Sequence, residues 1–239
     1  MKQKRFFNFN PLISFTKRWI KATFYPLSIW LGIAPMKAYL YEAEKIPGWV
    51  TAEELMEKGE YSYNLPNNAV VVEIGAFLGR STVMVAGALK MKRSGLVHSI
   101  DPFDASGDDF SIPVYKEIEE QLPVSLLGQF QRNIRNACLE KYVAIHKGTS
   151  ESVVKTWQDP IDMLILDGDQ SPKGARAAFE DWIPFLKTNG ILVVHNSADR
   201  VYEKDHDGYR RVVVESVQPP QFSDVICVRM TTFARKNEE

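Results

Sequence analysis

Cysteine is scarce in this chain of 239 residues: Cys138 and Cys227 are the only two, and they form no CxxC pair. This scarcity excludes a disulfide framework and a thiolate metal cluster, and it is typical of a reducing compartment. Long hydrophobic runs are also lacking. The longest uncharged stretch among the first 41 residues, 22–36, has 15 residues and two prolines, whereas a membrane-spanning helix needs about 20 apolar residues. We therefore expect a cytoplasmic protein without a spanning helix or a signal peptide.

Acidic residues are absent from the first 41 positions, which carry a charge of +7 and leave −8 for the rest of the chain. The basic residues are Lys2, Lys4, Arg5, Lys17, Arg18, Lys21 and Lys37. On a helical wheel of about 100° per residue, residues 12–24 predict an amphipathic helix with Trp19 on its apolar half. Such a helix either packs on its own protein or contacts a partner or an anionic membrane surface. We expect no nucleic-acid partner, because no nucleic-acid-binding motif accompanies the basic residues.

From residue 69 onward, short apolar runs alternate with longer helical stretches. The runs are rich in Val and Ile and predict strands buried on both faces of a parallel sheet, at 69–74, 96–100, 142–145, 161–166 and 191–194. The predicted helices cover 80–90, two segments within 113–138, 151–157, 172–187 and 209–217, with late strands near 225–229 and 231–234. Repeated β-α-β units predict an α/β fold with a three-layer, doubly wound, Rossmann-like sheet.

The chain before this repeat is predicted to form a separate extension. Thr51 and Glu54 have the spacing of a capping box, which predicts a short helix reaching about Glu60. We divide the chain into a basic, aromatic-rich helical extension, 1–62, and a main domain, 63–239. The extension is expected to act as a lid, as a dimer element that makes a homo-oligomer, or as a membrane-surface element.

The residues that follow each predicted strand decide the chemistry, because ligands of such sheets bind beyond the carboxyl ends of the strands. After the first strand comes the turn 73–82, EIGAFLGRST, whose glycines allow a tight bend and a close approach to a ligand. A dinucleotide fingerprint would need glycine at position 77, where this chain has Phe77, so a nicotinamide oxidoreductase is disfavoured. Asp101 ends the second strand, where a carboxylate can accept both hydroxyl hydrogens of a ribose. The alternative is that Asp101 is a turn residue before Pro102.

These segments resemble the class I S-adenosylmethionine-dependent methyltransferases. The resemblance rests on the turn 73–82, HSIDPF at 98–103, GTSES at 148–152, ILDGDQSPKGARAAFEDW at 165–182 and NGILVVHN at 189–196. Within the class the chain is similar to a branch with a DGDH-type loop, which includes small-molecule and sugar O-methyltransferases. The resemblance implies a mostly parallel, seven-stranded sheet with a C-terminal antiparallel hairpin. It also implies S-adenosylmethionine as cofactor and O-methylation of a hydroxylated small molecule or sugar.

The resemblance also implies the residues that would bind the cofactor. They are Glu73, Gly75, Gly79, Ser81, Asp101, Phe103, Thr149, Ser150 and Asp167. The first four would surround the amino-acid end, which suits a carboxylate at a helix N-terminus. Asp101 would bind the ribose, Thr149 and Ser150 would contact the adenine, and Phe103 would form a flat wall for the ring. Thr149 and Ser150 have helix capping as their alternative role.

Polar side chains that follow the fourth and fifth predicted strands form the expected reacting centre. Asp167, Asp169 and His195 are the catalytic candidates, and His195 is the expected base because an imidazole can accept a proton near neutral pH. Its alternative is a histidine that only satisfies the backbone. Gln170 stands where the DGDH-type loop ends in histidine, and an amide cannot serve as a base.

A divalent metal is left open at the same strand ends. Oxygen ligands from Asp167, Asp169 and Asn196 could hold such an ion, but His195 and Asn196 replace the acidic pair of the metal-dependent members. Gln170 and Asn196 also motivate a second hypothesis, a catalytically inactive scaffold protein that binds S-adenosylmethionine.

Overall fold

Three helices precede the sheet in the structure, a computed structural model that describes residues 22–238. Residues 22–31 form helix α1, followed by α2 (Met36–Glu44) and α3 (Ala52–Asn64). The capping box predicted at Thr51 and Glu54 is present, and α3 runs on to Asn64. Of the predicted amphipathic helix, 12–24, positions 12–21 lie outside the described residues. Within 22–238, no helix combines the length and apolarity needed to cross a membrane.

Helix α1 packs on the rest of the protein by one face only. Ser28 and Ile29 are buried, and the Ile29 carbonyl accepts a hydrogen bond from Lys90 Nζ at 3.1 Å. The side chains that point away are apolar as well, and each is more than half exposed: Phe24, Leu27, Trp30 and Leu31, with Ile33 just beyond the helix. The structure therefore presents an outer apolar surface, formed by these five residues, that the main core does not use.

The predicted alternation of strands and helices is confirmed. The strands are β1 (Val70–Ile74), β2 (Leu96–Asp101), β3 (Val143–Lys147), β4 (Ile161–Leu166), β5 (Leu186–Val194), β6 (Phe222–Val228) and β7 (Thr231–Lys236). The helices are α4 (Arg80–Lys92), α5 (Ile112–Gln121), α6 (Leu126–Asn136), α7 (Ser150–Val154), α8 (Pro172–Trp182) and α9 (Gly208–Ser216). Helix α7 is shorter than its predicted range, and β6 begins before its predicted start.

All seven strands join in one sheet with the order β3-β2-β1-β4-β5-β7-β6. Strands β1 to β5 are parallel, while β7 runs antiparallel to both β5 and β6. The predicted fold class, a doubly wound sheet with a C-terminal antiparallel hairpin, is confirmed. Because strand order reverses between β1 and β4, their carboxyl ends open a crevice at this switch point.

Hydrophobic residues cover both faces of the sheet, as the continuous apolar runs predict. Successive side chains alternate between faces: Val71 faces a core shared with α2, α3, α4 and α6, while Val72 faces a core shared with α8 and α9. Leu55 of α3 lies fully buried in the first of these cores. Helices α2 and α3 are therefore packed into the same core as the sheet.

The predicted helix over 172–187 is wrong at its end. Helix α8 stops at Trp182, a 3-10 turn covers Ile183–Phe185, and strand β5 already begins at Leu186. The turn contains Pro184, and a residue before proline is disfavoured in helical conformation. Leu186 then pairs with Ile161 across the sheet, which draws this segment into β5.

Candidate active site

The turn between β1 and α4 is built around two glycines in the left-handed region. Gly75 and Gly79 both have φ of +87°, which L side chains rarely adopt. A Cβ on Gly75 would lie 2.2 Å from the backbone oxygen of Asp167. Glycine at position 75 therefore lets the end of β1 approach the end of β4. Gly79 serves a different contact, since its Cβ would lie 3.0 Å from the ring of Phe130.

A cavity of about 310 Å³, here called the first cavity, opens at this switch point. Most of the predicted cofactor residues line it, namely Gly75, Asp101, Thr149, Ser150 and Asp167, together with Asp169. Ser81 lines a small neighbouring recess of about 50 Å³ that shares Gly75 and Asp167 with the first cavity. Glu73 and Gly79 are not among the lining residues of either space.

Phe103 does not lie where a wall for adenine was expected. Its side chain is buried and packs against Phe130, with 5.2 Å between the ring centroids, and it does not line the first cavity. Its φ of 53° follows the strand end at Asp101 and turns the chain away. The aromatic rings that do line the cavity are Phe77 and Tyr115, whose centroids lie 5.0 Å apart. No sequence motif marks Tyr115, because it lies on α5, outside the strand ends.

Backbone hydrogen bonds hold the Asp101 carboxylate. Oδ2 accepts from the N–H of Phe77 at 2.8 Å, and Oδ1 accepts from the N–H of Phe103 at 2.7 Å. Burial raises the pKa of Asp101, and these hydrogen bonds counteract the rise. The turn role left open for Asp101 is therefore realised, and each oxygen keeps further acceptor capacity for a ligand in the cavity.

The helix-capping alternative also holds at the start of α7. The Thr149 side chain accepts from the N–H of Ser152. Ser150 Oγ accepts a 2.8 Å hydrogen bond from the indole N–H of Trp182. Both residues line the first cavity as well, so capping and lining occur together.

Buried charges from β1 and α3 stand behind the glycine turn. The Glu73 carboxylate accepts hydrogen bonds from Thr82 and Ser99, whereas its Oε1 is buried without a partner among the described residues. Lys58 is fully buried, and its Nζ donates to Ser81 Oγ at 3.2 Å. Burial raises the pKa of Glu73 to about 7, although Thr82 and the charge of Lys58 act in the opposite direction.

Sequence reasoning missed Lys58 and the role of Glu54. Both lie on α3 and are completely buried, yet charged residues four apart on a helix are ordinarily read as a solvent-exposed pair. Glu54, Lys58 and Ser62 are spaced four residues apart, which places them on the same buried helix face as the apolar Leu55. This spacing is the sequence signal that could have indicated their burial.

A second cavity of about 390 Å³ adjoins the first, and Asp167 and Tyr115 line both. Its walls are largely aromatic and apolar: Trp49, Val50, Phe110, Val114, Tyr115, Tyr202 and Met230. Its polar lining includes Asp167, Gln170, His195, Asn196, Arg200 and His206. Asp167 and His195, predicted from separate strand ends, are thus brought together. Burial raises the pKa of Asp167, while the nearby His195 and Lys58 lower it.

His195 is buried directly after β5 and has two different sides. Nδ1 lies 3.0 Å from Thr231 Oγ1 and 3.6 Å from Glu54 Oε1. Nε2 is buried and makes no hydrogen bond to any residue in 22–238. An unpartnered imidazole nitrogen in a buried position calls for an explanation. The alternative for His195 was a hydrogen-bonded histidine that only satisfies the backbone; among the described residues its ring bonds to the Thr231 hydroxyl and not to a backbone group.

The other polar candidates have protein partners. Gln170 Nε2 donates to Asp167 Oδ1 at 3.3 Å, and Asp169 Oδ1 accepts from the N–H of Ser171 at 2.8 Å. His206 Nδ1 lies 3.0 Å from Asp108 Oδ1. No group of three or more His, Cys, Asp or Glu side chains within the described range could hold a metal ion. The metal-binding role of Asp167, Asp169 and Asn196 stays a prediction.

The strand order, the glycine turn and the paired cavities at the switch point define a Rossmann-like methyltransferase of class I. The sequence model of a family described as a methyltransferase domain matches residues 72–197, more than half of the chain, and the chain belongs to this family. The predicted membership in the S-adenosylmethionine-dependent methyltransferases is confirmed. The DGDH-type loop stays a prediction.

Solved structures of methyltransferases share the fold. An O-methyltransferase from Bacillus cereus in complex with SAH has a TM-score of 0.60 at 15% identity, over 92% of this chain and 96% of that one. The O-methyltransferase TomG from Streptomyces achromogenes, involved in tomaymycin synthesis and in complex with SAM, has a TM-score of 0.58 at 15% identity, over 85% and 89%. The O-methyltransferase NovP has a TM-score of 0.57 at 15% identity, over 79% and 81%.

The buried Glu73 predicts a specific pH dependence of stability. Between its ordinary pKa near 4.5 and its folded pKa near 7, the folded state holds a proton that the unfolded state has released, so Glu73 makes unfolding easier as pH rises. In Glu73→Gln this contribution disappears. We expect the difference in unfolding free energy to shift in favour of the variant, by about 3 kcal/mol at most, as the pH rises from 4.5 to 8. Chemical denaturation of both proteins measures this difference. The exposed Glu60→Gln is the control, and a Glu73→Gln curve parallel to the wild type would contradict the prediction.

Proposed function

We propose that this methyltransferase transfers a methyl group from S-adenosylmethionine to a hydroxyl group of a small molecule, such as a sugar or another hydroxylated metabolite. One observation carries the proposal: His195 lines the second cavity together with Asp167, which also lines the first, and its Nε2 is buried with no partner in the described part of the chain. A free imidazole nitrogen is suited to accept a hydroxyl proton. The solved O-methyltransferases named above, two of them with SAH or SAM bound, support the same chemistry.

The first cavity fits an adenosyl amino acid. Gly75 has no side chain that would clash with the Asp167 backbone, so the ends of β1 and β4 come close enough to line the cavity together. The Asp101 carboxylate has acceptor capacity for two ribose hydroxyls, and Thr149 and Ser150 line the side assigned to adenine. Ser81, near the N-terminus of α4, lies with Lys58 where the cofactor's carboxylate would be stabilised. Phe77 and Tyr115 supply the aromatic wall that was expected from Phe103.

The second cavity fits the acceptor. When bound, S-adenosylmethionine supplies an electrophilic methyl group on a sulfonium. His195 Nε2 would take the proton of the acceptor hydroxyl, and the acceptor oxygen would be held beside the first cavity, where Asp101, Thr149 and Ser150 would hold the methyl donor. Trp49, Phe110 and Tyr202 offer apolar faces for an acceptor ring, and Arg200 and His206 offer polar contacts. Holding both reactants in adjoining cavities makes the displacement effectively intramolecular.

The role of Asp101 can be tested by cofactor binding. Changing Asp101 to Asn leaves the size unchanged but removes one acceptor oxygen and the charge. We expect affinity for S-adenosylhomocysteine to fall by about 10- to 100-fold, the range for hydrogen bonds to a charged group, in isothermal titration calorimetry.

The control for Asp101→Asn is Asp104→Asn, at an exposed residue that does not line the first cavity. Equal affinities of the two variants would refute the assignment of the first cavity. Binding of NAD without any binding of S-adenosylhomocysteine would restore the oxidoreductase alternative.

The role of His195 predicts a loss of turnover without a loss of cofactor binding. We expect His195→Ala to lower kcat by about 100- to 10,000-fold, the usual contribution of a general base, with unchanged affinity for S-adenosylhomocysteine. His146→Ala, at a histidine on β3 outside both cavities, is the control. Full activity of His195→Ala would remove it as the base. Cofactor binding by the wild type, without methyl transfer to any hydroxylated acceptor, would favour the inactive scaffold.

We further propose that the outer apolar surface at Phe24, Leu27, Trp30, Leu31 and Ile33 contacts an anionic membrane surface. Exposed Trp, Phe and Leu side chains suit the interface between headgroups and acyl chains. The first 41 residues carry seven basic and no acidic residues, so this part of the chain complements anionic lipid in charge.

Vesicle sedimentation tests this membrane contact. The wild type is expected to sediment with phosphatidylcholine vesicles that contain phosphatidylserine, and less with phosphatidylcholine alone. The double variant Leu27→Ser, Trp30→Ser should bind at least about tenfold more weakly, because two large apolar side chains no longer become buried in lipid. Val225→Ser, at an exposed residue on β6, is the control. A wild type that never binds anionic vesicles would end this proposal.

A further inference from the structure

The tautomer of His195 follows from the partners of its Nδ1 side. Thr231 Oγ1 lies 2.8 Å from Glu54 Oε1 and 3.0 Å from His195 Nδ1. An ionised carboxylate can only accept hydrogen bonds, so the single hydroxyl proton of Thr231 is donated to Glu54. The Thr231 oxygen is then left as an acceptor toward His195. Nδ1 must therefore carry the proton, and the lone pair of the neutral imidazole is on Nε2.

Glu54 is surrounded by donors that keep it ionised. Its Oε1 accepts from the N–H of Met230 at 3.0 Å as well as from Thr231. Its Oε2 accepts from both the N–H and the hydroxyl of Thr51, each at 2.7 Å. Burial would raise the pKa of Glu54, but the nearby His195 and the hydrogen bonds from Thr51 outweigh it and lower the pKa to about 2. The carboxylate is therefore a fixed negative charge 3.6 Å from Nδ1.

We propose that Glu54, acting through Thr231, holds His195 in the Nδ1–H tautomer and aims Nε2 at the second cavity. Glu54 and Thr231 are thus positioning residues for the base, and this inference rests on the proposed function for its catalytic consequence. Neither residue lies within the matched methyltransferase region, 72–197. Helix α3 and the C-terminal hairpin therefore position a base, His195, that belongs to the matched region.

The same arrangement stabilises the proton that His195 accepts. When the acceptor O–H bond breaks and the Nε2–H bond forms, the imidazole becomes positive between two acidic groups, Glu54 from α3 and Asp167 after β4. Lys58, also from α3, lies near Asp167 and opposes that second contribution. The Glu54 charge is already in place before the proton arrives, so no reorganisation is needed at that moment.

Imidazole ¹⁵N NMR on the protein without substrate measures the tautomer directly. The chain has four histidines, and the His195→Gln spectrum assigns the resonances of His195. At a pH where the ring is neutral, the wild type and Thr231→Ser should show Nδ1 protonated and Nε2 unprotonated. Thr231→Val removes the acceptor and should move population toward the Nε2–H form. A tautomer that is unchanged in Thr231→Val, with the variant folded, would overturn the proposal.

Kinetics add a measurement that a merely structural role would not change. Glu54→Gln keeps a capping residue, since glutamine also completes a capping box, but removes the charge. We expect kcat to fall about tenfold with KM unchanged, because the fixed charge beside the protonated ring is lost. The control is Glu53→Gln, whose exposed side chain pairs with Arg229. An unchanged kcat in Glu54→Gln would overturn the proposal.

The NMR result is independent of the proposed methyl transfer. If the tautomer responds to Thr231→Val but no hydroxylated acceptor is methylated, the positioning of His195 stands and the proposed acceptor chemistry fails. If methyl transfer is found but neither the tautomer nor kcat responds, the positioning fails and the proposed function stands.

Discussion

The close approach of the first and fourth strand ends is the constraint on which the site depends. Gly75 lies so near the backbone of Asp167 that a Cβ would come within 2.2 Å of its oxygen. Any other residue at position 75 would force β1 and β4 apart at the point where strand order reverses. Gly75 and Asp167 both line the first cavity, and Asp167 also lines the second, so the shape of the site depends on this contact.

Buried charges concentrate around this contact, and they come from parts of the chain that are far apart in sequence. Glu54 and Lys58 reach the site from α3, Glu73 from β1 and Asp167 from the end of β4. An isolated buried charge is costly, and removing one partner leaves the others uncompensated. The neighbouring opposite charges and the hydrogen bonds to each carboxylate offset that cost. The result is a preorganised electrostatic environment next to His195, which is the condition under which a fixed charge is most effective.

Much of the fold could be predicted because strand burial is a local property of sequence. The run 161–166 is apolar except for Asp162 and matches β4 at both ends. The segment 186–190 could not be predicted as strand, since LKTNG has no apolar alternation and joins β5 only by pairing with β4. At the site, Asp101, Asp167 and His195 were found because each follows a predicted strand. Phe103 was assigned to the wrong surface, because the direction of a side chain after a strand depends on a backbone turn that the sequence does not show.

The sequence by itself determined the order of strands and helices, the glycine turn and the residue types at the strand ends, because these depend on short-range periodicity and turn chemistry. Only the tertiary structure decided which of those residues share a cavity and which charges are buried together. Glu54 and Thr231 are 177 residues apart in the sequence, and His195 and Thr231 are 36 apart. Their hydrogen bonds form only after α3 and the C-terminal hairpin have packed against the sheet, and contacts of that kind leave no periodic signal in the chain.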